Sequence, residues 1–341
     1  MATMPGSHNE TFTDETETEV QLGTGGGNEV EFSGSTADHT VQSGGDNDTI
    51  FTGSGDDVIQ SNGDGGNVDA GEGNNRIGFS GADNSTVSAG SGDDTFGGSN
   101  VTGSQLNLGG GDNTVLLNNA DDNVIDGSEG TLNVVLSGGG NEVNAGSGDD
   151  SLGIAGSSNV VFGGGGNDTV QVAGNNNFVG GGGDVKIGGD GNVAGGGSAG
   201  DNIQSNGDSA VNGGGGNDFV VVNGGTASGG SGNDTMIGSS GATLVGGKGD
   251  DQLYISSGGG SMFGGKGADE FIITADAGSV TIADFKIGDD TLFIDVPGVS
   301  AVSQLAASSD AAGDLVISVG ATTVTLTGIS YNDLSSLHIT F

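Results

Sequence analysis

The chain has 341 residues, including 77 Gly and 2 Pro, and its 45 acidic residues against 5 basic ones give a formal net charge of -40. Nucleic acid and anionic membranes are disfavoured as direct partners, because both bind basic surfaces. Cysteine is absent, which excludes disulfides, thiolate zinc sites and a cysteine nucleophile.

The N-terminal segment, residues 1–20, is acidic and alternates Thr with Glu from Thr11 to Glu19. It contains no basic stretch followed by an apolar run, so it does not predict a Sec signal peptide. No run approaches the ~18 consecutive apolar residues of a membrane span. We predict an acidic tail here, although the alternation would also suit a frayed first strand.

From residue 21 to 275 a glycine-rich turn recurs and ends in a carboxylate, as in Gly-Gly-Ser-Gly-Asn-Asp at 229–234 and Gly-Gly-Lys-Gly-Asp-Asp at 246–251. Aligned on the sixth turn position, Asp57 and Asp269 are 212 residues and 12 steps apart, or about 17.7 residues per step. This is twice a nine-residue unit of turn and short strand. The repeat predicts an all-β fold, a right-handed parallel β-roll or β-solenoid of about 18-residue coils.

Apolar residues follow the turns at the same spacing and are expected to point inward, because side chains alternate along a strand. The first file, two residues after the sixth position, is Ile59, Ile77, Phe96, Val115, Leu152, Val170, Val220, Met236, Leu253 and Phe271. The next file is Phe79, Leu117, Ile154, Val172, Val222, Ile255 and Ile273. The return strand supplies Val68, Val87, Leu106, Val124, Val143, Phe178, Val211, Leu244 and Met262.

On these turns, residues 22–275 resemble the RTX family of secreted bacterial proteins, whose nonapeptide β-rolls bind calcium between successive coils. The resemblance implies that sixth-position carboxylates and turn carbonyls are the calcium ligands, a role that falls here to Asp57, Asp94, Asp150, Asp168, Asp218, Asp234, Asp251 and Asp269. Asn75 and Asn113 offer a neutral oxygen and are expected to form weaker sites. Thr131 and the turns near Val185 and Asn202 interrupt the row. The alternative is that these segments are only turn formers.

The alternate turns lack the terminal Asp, as at 156–159, 174–177 and 256–260, whereas a regular RTX roll carries the full motif on both turns of each coil. We therefore predict multiple calcium ions mainly in one row along one edge. Asp48 and Asp57 are nine residues apart, which indicates a short second row near the N-terminal end.

Residues 276–341 contain less Gly, and 280–285, 291–296, 314–319 and 323–327 are predicted strands with a hairpin turn at Gly320 and Ala321. We predict a small C-terminal β capping domain here. The stretch 282–292 resembles the segment that follows the roll in many RTX proteins exported by type I secretion, which implies a C-terminal export signal. A cap that only covers the last coil is the alternative.

The sequence offers no catalytic constellation: His8, His39 and His338 are far apart, H-E-x-x-H does not occur, and the one G-x-S-x-G match, at 196–200, lies within a glycine turn of the repeat. The roughly 25 residues before the first turn are too few for a catalytic domain. We therefore predict a non-enzymatic, secreted, calcium-binding structural protein of the bacterial cell surface that folds on binding extracellular calcium. Such a protein would act in a surface layer, biofilm matrix or adhesive assembly, by self-association or through cell-surface components.

Two alternatives are an exported calcium-dependent effector and an ice- or ligand-binding adhesin module. The chain has no Trp and only Tyr254 and Tyr331, so an aromatic platform for sugars is hard to build. The third turn position carries Ser, Gly, Glu or Lys instead of the Thr ladder of ice-binding RTX adhesins.

Overall fold

The structure, a computed structural model, describes residues 2–3, 11–13 and 16–341. The regular secondary structure of the described chain is almost entirely β-strand, with two 3-10 helices, Val302–Gln304 and Tyr331–Ser336, and no α-helix. It divides into two compact units, residues 1–179 and 180–341. Each unit is a parallel β-solenoid with coils of about 18 residues, so the predicted fold class is confirmed.

The first unit has two sheets, and successive strands alternate between them. The first sheet contains β1 (Ala2–Thr3), β3 (Glu19–Gln21), β5 (Thr40–Ser43), β7 (Val58–Ser61), β9 (Arg76–Ser80), β11 (Thr95–Ser99), β13 (Asn113–Asn118), β15 (Leu132–Ser137), β17 (Ser151–Ala155) and β19 (Thr169–Ala173). The second sheet contains β2 (Thr11–Phe12), β4 (Glu29–Glu31), β6 (Thr49–Phe51), β8 (Asn67–Asp69), β10 (Thr86–Ser88), β12 (Gln105–Gly110), β14 (Val124–Glu129), β16 (Glu142–Asn144), β18 (Val160–Phe162) and β20 (Phe178–Gly180).

The second unit repeats this plan. Its first sheet contains β21 (Asp184–Gly188), β23 (Asn202–Asn206), β25 (Phe219–Asn223), β27 (Thr235–Ser239), β29 (Gln252–Ser257), β31 (Glu270–Thr274), β33 (Thr291–Asp295) and β37 (His338–Thr340). Its second sheet contains β22 (Val193–Gly197), β24 (Ala210–Gly215), β26 (Thr226–Ser231), β28 (Ala242–Lys248), β30 (Gly260–Lys266), β32 (Ser279–Ile282), β34 (Ala306–Ser309), β35 (Leu315–Val319) and β36 (Thr322–Leu326).

The strand registers give the length of each coil. In the first unit Leu152 pairs with Val170, 18 residues on, and Phe96 with Val115, 19 residues on. Coil length varies more in the second unit, where Val220 pairs with Met236 after 16 residues. The turns absorb most of these differences, because the strands of successive coils pair in parallel, with register shifts only near Gly109 and after Gly238 among the described pairs.

The core is a set of stacked side chains between the two sheets of each unit. All the residues of the first two predicted files are buried, as are most of the predicted return-strand residues. Val124 and Phe178 are corrections: Ile125 and Val179 are buried in their place, and Phe178 is 41% exposed. Each coil buries few side chains, so it depends on its neighbours for stability.

The glycine turns bring backbone against backbone. Gly249 has φ +119°, and a Cβ there would lie 2.0 Å from the carbonyl oxygen of Gly232 in the preceding coil. Both the dihedral angle and the contact require glycine.

The C-terminal part of the second unit adds antiparallel pairing. β35 and β36 form a hairpin closed by Gly320 and Ala321, which confirms the predicted turn, and β34 pairs antiparallel with β35. β36 also pairs parallel with β32, and β37 pairs parallel with β33. All four strands predicted after residue 276 are present within a few residues of their predicted bounds.

Among the described residues, no helix has the length and apolar character needed to cross a membrane. The predicted division into a tail (1–20), a roll (21–275) and a C-terminal cap (276–341) stays a prediction, and part of the tail lies outside the described residues.

Candidate metal centre

The turns of each unit fall on two edges, according to the direction in which they connect the sheets. Turns such as 246–251 lead from the second sheet to the first, whereas turns such as 156–159 lead from the first sheet to the second. We call the stacked sixth positions of the former the aspartate ladder, and those of the latter the opposite ladder. In the first unit the aspartate ladder is His39, Asp57, Asn75, Asp94, Asn113, Leu132, Asp150 and Asp168. In the second unit it is Gly183, Asp201, Asp218, Asp234, Asp251, Asp269 and Asp290.

The structure therefore stacks the predicted Asp57, Asn75, Asp94, Asn113, Asp150 and Asp168 in one unit, and Asp218, Asp234, Asp251 and Asp269 in the other. The predicted Asp48 lies on the opposite ladder of the first unit, between β5 and β6. Asp48 therefore lies on the edge where the predicted short second row would be, and its metal binding stays a prediction.

Three ladder positions differ from the sequence alignment. Leu132, not Thr131, pairs with Asn113, so an apolar side chain interrupts the ladder there. Asp201, not Asn202, precedes Asp218 in the ladder, since the Asp201 N–H donates to Asp218 Oδ1 at 2.8 Å. Asp290 continues the ladder beyond residue 275. The carboxylates of Asp201 and Asp290 were missed, although each ends a glycine-containing turn.

One carboxylate oxygen of each ladder aspartate is bound by the preceding coil. The backbone N–H of Asp218 donates to Asp234 Oδ1 at 2.8 Å, that of Asp234 to Asp251 Oδ1 at 2.9 Å, and that of Asp251 to Asp269 Oδ1 at 3.1 Å. The first unit repeats the pattern, with Asp150 N–H donating to Asp168 Oδ1 at 3.0 Å. These bonds fix each carboxylate in the turn.

The other carboxylate oxygen is buried without a hydrogen-bond donor. Nine ladder aspartates share this feature, namely Asp57, Asp94, Asp150, Asp168, Asp201, Asp218, Asp234, Asp251 and Asp269. Their side chains are almost fully buried, with exposed fractions of 1 to 3%. A buried, ionised oxygen without a partner is strongly unfavourable, so this array requires either protons or cations.

The space beside each orphan oxygen is lined by backbone oxygen. A Cβ built on Gly213 would lie 2.2 Å from Asp218 Oδ2 and 2.6 Å from the carbonyl oxygen of Gly229 in the next coil. The same convergence occurs at Gly246, with Asp251 Oδ2 at 2.3 Å and the Gly264 carbonyl oxygen at 2.6 Å. The first glycine of the turn thus leaves room between a carboxylate and a carbonyl of adjacent coils.

Among the described residues, no three Asp, Glu or His side chains converge as a metal cluster. An ion at this edge would therefore take many of its ligands from turn carbonyls. Carboxylate and carbonyl oxygens together are the donor set that calcium prefers. The residues present fit that ion: Asp Oδ2 atoms would supply charge and the turn carbonyls would complete the shell.

Burial also changes the acidity of the ladder. It raises the pKa of Asp94 to about 7 and that of Asp218 to about 6, from the ordinary value of 3.8. Burial raises the pKa of Asp251 to about 7, and the negative charges of Asp234 and Asp269 act in the same direction. Without a cation, these carboxylates resist ionisation at neutral pH.

The shifts predict how the metal-free chain responds to pH. A carboxylate whose pKa is raised on folding contributes stability that is fully present below its unfolded value near 3.9 and lost as pH rises through its folded pKa. With folded values of about 6 to 7 for Asp150, Asp218, Asp94 and Asp251, we expect the metal-free protein to be more stable at pH 5 than at pH 7.5. Circular dichroism of the chelated protein, followed from pH 5 to pH 7.5, measures this difference as a loss of β signal.

A matched pair of variants assigns the effect. Asp94→Asn with Asp251→Asn should reduce the pH dependence, because the substituted side chains no longer ionise. Asp93→Asn with Asp250→Asn changes the adjacent exposed residues and should leave most of it. Equal pH dependence in both variants would contradict the ladder as the source.

From Asn123 to Asn177, the opposite ladder of the first unit is built from amides in place of carboxylates. The backbone N–H of Asn123 donates to Asn141 Oδ1 at 3.0 Å, that of Asn141 to Asn159 Oδ1 at 2.9 Å, and that of Asn159 to Asn177 Oδ1 at 2.8 Å. The side-chain Nδ2 groups also donate: Asn141 Nδ2 lies 2.8 Å from the Ala120 carbonyl oxygen and 3.1 Å from Asn159 Oδ1. These amide groups supply the donors that the carboxylates on the other edge lack.

Three predicted ligands differ from the nine orphan carboxylates. Asp48 Oδ1 accepts the Asn28 N–H at 2.8 Å, and Asp48 Oδ2 accepts the Ser43 hydroxyl. Asn75 Nδ2 donates to the Gly73 carbonyl oxygen at 3.1 Å, and Asn113 Nδ2 to that of Gly111 at 3.3 Å. Protein groups already satisfy these side chains, and the weaker metal binding of Asn75 and Asn113 stays a prediction.

No protein-family model matches the chain, and no curated protein matches it. Among solved structures, the chain is similar to the crystal structure of the extracellular lipase LipA from Serratia marcescens, with 19% sequence identity and a TM-score of 0.21. The match covers 64% of this chain and 40% of the lipase chain, so the chain spans less than half the length of that protein. A similarity this distant neither supports nor opposes enzymatic activity here.

Proposed function

We propose that this protein is a secreted, calcium-binding structural β-solenoid of the cell surface, which folds when it binds extracellular calcium. The observation that carries the proposal is the array of nine buried ladder aspartates whose Oδ2 atoms have no donor. A divalent cation shared between coils would neutralise them and would use the turn carbonyls as further ligands.

The calcium ions lie mainly in one row in each unit. The aspartate ladder has the orphan oxygens, whereas the amides of Asn123, Asn141 and Asn159 satisfy one another on the opposite edge of the first unit. Replacing one carboxylate oxygen by an amide NH₂ therefore removes both the charge and the need for an ion. Asp48 is the weakest candidate ligand, since both of its oxygens already accept hydrogen bonds.

The coupling to folding follows from charge. In a compartment with little calcium, a chain of net charge -40 repels itself and cannot bury its ladder carboxylates. Outside the cell, calcium at millimolar concentration supplies the missing charge, so binding free energy becomes folding free energy. A chain that stays unfolded until export suits type I secretion through the C-terminal segment, which is part of this proposal.

A structural role, without catalysis, in a surface layer, biofilm matrix or adhesive assembly is the biological part of the proposal. It is supported by the lack of an H-E-x-x-H motif and by the position of the one G-x-S-x-G match, 196–200, which spans the end of strand β22 and the turn before β23 and does not precede a helix. Self-association or contact with cell-surface components would follow from the outer faces of the sheets.

Counting bound calcium tests the metal row. Native mass spectrometry of the calcium-loaded protein should give ~10 ions, as about one ion for each of the nine orphan carboxylates requires, and not the ~20 of a roll with two full rows. The variant Asn141→Ala on the opposite ladder should leave the count unchanged. A wild-type protein that binds no calcium would overturn the proposal, and a count near ~20 would overturn the single row.

A further inference from the structure

The last turn of the aspartate ladder in the second unit differs from the turns before it. It follows β32 and runs through residues 284–290, with Asp284 and Asp290 at its two ends. Asp284 binds the turn of the preceding coil with both oxygens: Oδ1 accepts the Gly264 N–H at 2.8 Å and Oδ2 accepts the Gly265 N–H at 2.9 Å. A side chain thus holds two backbone donors of the 264–269 turn.

Asp290 has no orphan oxygen. Its Oδ1 accepts the Asp269 N–H at 3.1 Å, as in every other step of the ladder. Its Oδ2 accepts the backbone N–H of Lys286 at 2.8 Å, whereas Oδ2 of Asp269, one step earlier, has no donor. The Asp290 carboxylate therefore does not need an external cation.

The side chain of Lys286 enters the same region. Its ammonium Nζ donates to the carbonyl oxygen of Gly265, the second residue of the 264–269 turn. Its positive charge also lowers the pKa of Asp269, against the larger effect of burial. A fixed cation of the chain is therefore bound to a carbonyl of this turn, and its charge acts on the Asp269 carboxylate, although Asp269 Oδ2 itself accepts no hydrogen bond.

We propose that the ammonium group of Lys286 takes the place of a calcium ion between Asp269 and Asp290, so that the row of ions ends at the step from Asp251 to Asp269. An ammonium group offers three N–H donors and one positive charge, which suits a carbonyl oxygen and a nearby carboxylate. Lys266, one coil earlier at the third turn position, is exposed and provides a matched comparison.

The inference rests on the proposed calcium row, and it gives the last coil a property that the other coils lack. The coils from Asp201 to Asp269 need an ion at each step, whereas at the last step the positive charge comes from Lys286. The end of the row is then defined by a side chain and does not depend on the calcium concentration.

Native mass spectrometry at saturating calcium tests the inference with the full chain. Lys286→Met should bind one more calcium ion than the wild type, because the vacated space exposes the Gly265 carbonyl and the Asp269 carboxylate to an ion. Lys286→Arg, which keeps the cation, and Lys266→Met, which removes an exposed charge, should keep the wild-type count. Lys286→Gln removes the positive charge and offers a neutral side-chain oxygen that calcium can bind, so it should also gain one ion and gives the same reading if the Met variant does not fold.

The outcomes separate this inference from the proposed function. Wild-type protein that binds no calcium would overturn both. Wild-type protein that binds calcium, with an unchanged count in Lys286→Met or Lys286→Gln, would overturn only the role of Lys286. A gain of one ion in Lys266→Met as well would also overturn it, since the effect would then come from net charge.

Discussion

Removal of calcium at pH 7.5 is expected to convert the protein from a β-rich fold into an expanded, largely unfolded chain. Each buried polar group without a partner costs about 1–3 kcal/mol, and more when charged, so nine orphan carboxylates together cost about 10–30 kcal/mol. A folded domain has a net stability of only about 5–15 kcal/mol. The unsatisfied ladder alone is enough to unfold the chain.

Far-ultraviolet circular dichroism and small-angle X-ray scattering, with chelator and then with excess calcium, measure this change. The β spectrum and the compact radius should return together as calcium is added. Magnesium at equal concentration should restore little, because it demands near-octahedral geometry and gives up its water reluctantly. A full β spectrum in chelator at pH 7.5 would falsify the coupling of calcium to folding.

The fold was predictable from the sequence because the period is carried by two independent patterns, the glycine turns and the inward apolar residues. The two errors in the core share one cause. At Val124-Ile125 and at Phe178-Val179, two adjacent apolar residues compete for the inward position, and a shift by one residue exchanges the two faces of a strand. In the structure Ile125 and Val179 are the buried members of these pairs.

The opposite ladder explains which member is buried. The stacking hydrogen bonds of Asn123 and Asn177 place these residues at the sixth turn position, and the inward residue then lies two positions later. The same rule that located Ile59 after Asp57 therefore holds on the opposite edge once Asn is counted with Asp. Because the sequence alignment treated these turns as degraded, it missed that they are ordered by amides.

The sequence was sufficient to predict a stack of turn carboxylates, but not every residue in the stack or its hydrogen bonds. The carboxylates of Asp218, Asp234 and Asp251 end regular turns, and their stacking follows directly from the repeat. Asp201 and Asp290 end irregular turns, so their place in the ladder depends on strand register that the spacing alone does not define. Asp48 Oδ2 accepts the Ser43 hydroxyl, and Asp290 Oδ2 accepts the Lys286 N–H. These hydrogen bonds depend on the local folding of each turn, and the repeat motif does not predict them.

The paired variant Asp234→Asn with Asp251→Asn should have opposite effects with and without calcium. Asn keeps the Oδ1 acceptors for the backbone N–H groups of Asp218 and Asp234, which lie at 2.8 and 2.9 Å. It removes two charges that are costly to bury, so the metal-free protein should become more stable. In calcium it loses two anionic ligands, so the calcium midpoint for folding should rise at least ~10-fold, equivalent to a loss of about 1.4 kcal/mol of binding free energy.

The reverse exchange on the other edge is the matched control. Asn141→Asp with Asn159→Asp introduces two carboxylates into the opposite ladder and removes Nδ2 donors to the carbonyl oxygens of Ala120 and Gly138, at 2.8 and 3.1 Å. This variant should destabilise the metal-free protein, because it buries charge without a partner. Calcium titrations followed by circular dichroism compare both variants with the wild type. If the Asn variant loses its β structure in chelator at the same pH as the wild type, the ladder carboxylates do not destabilise the metal-free fold, and the calcium row is refuted at these two coils.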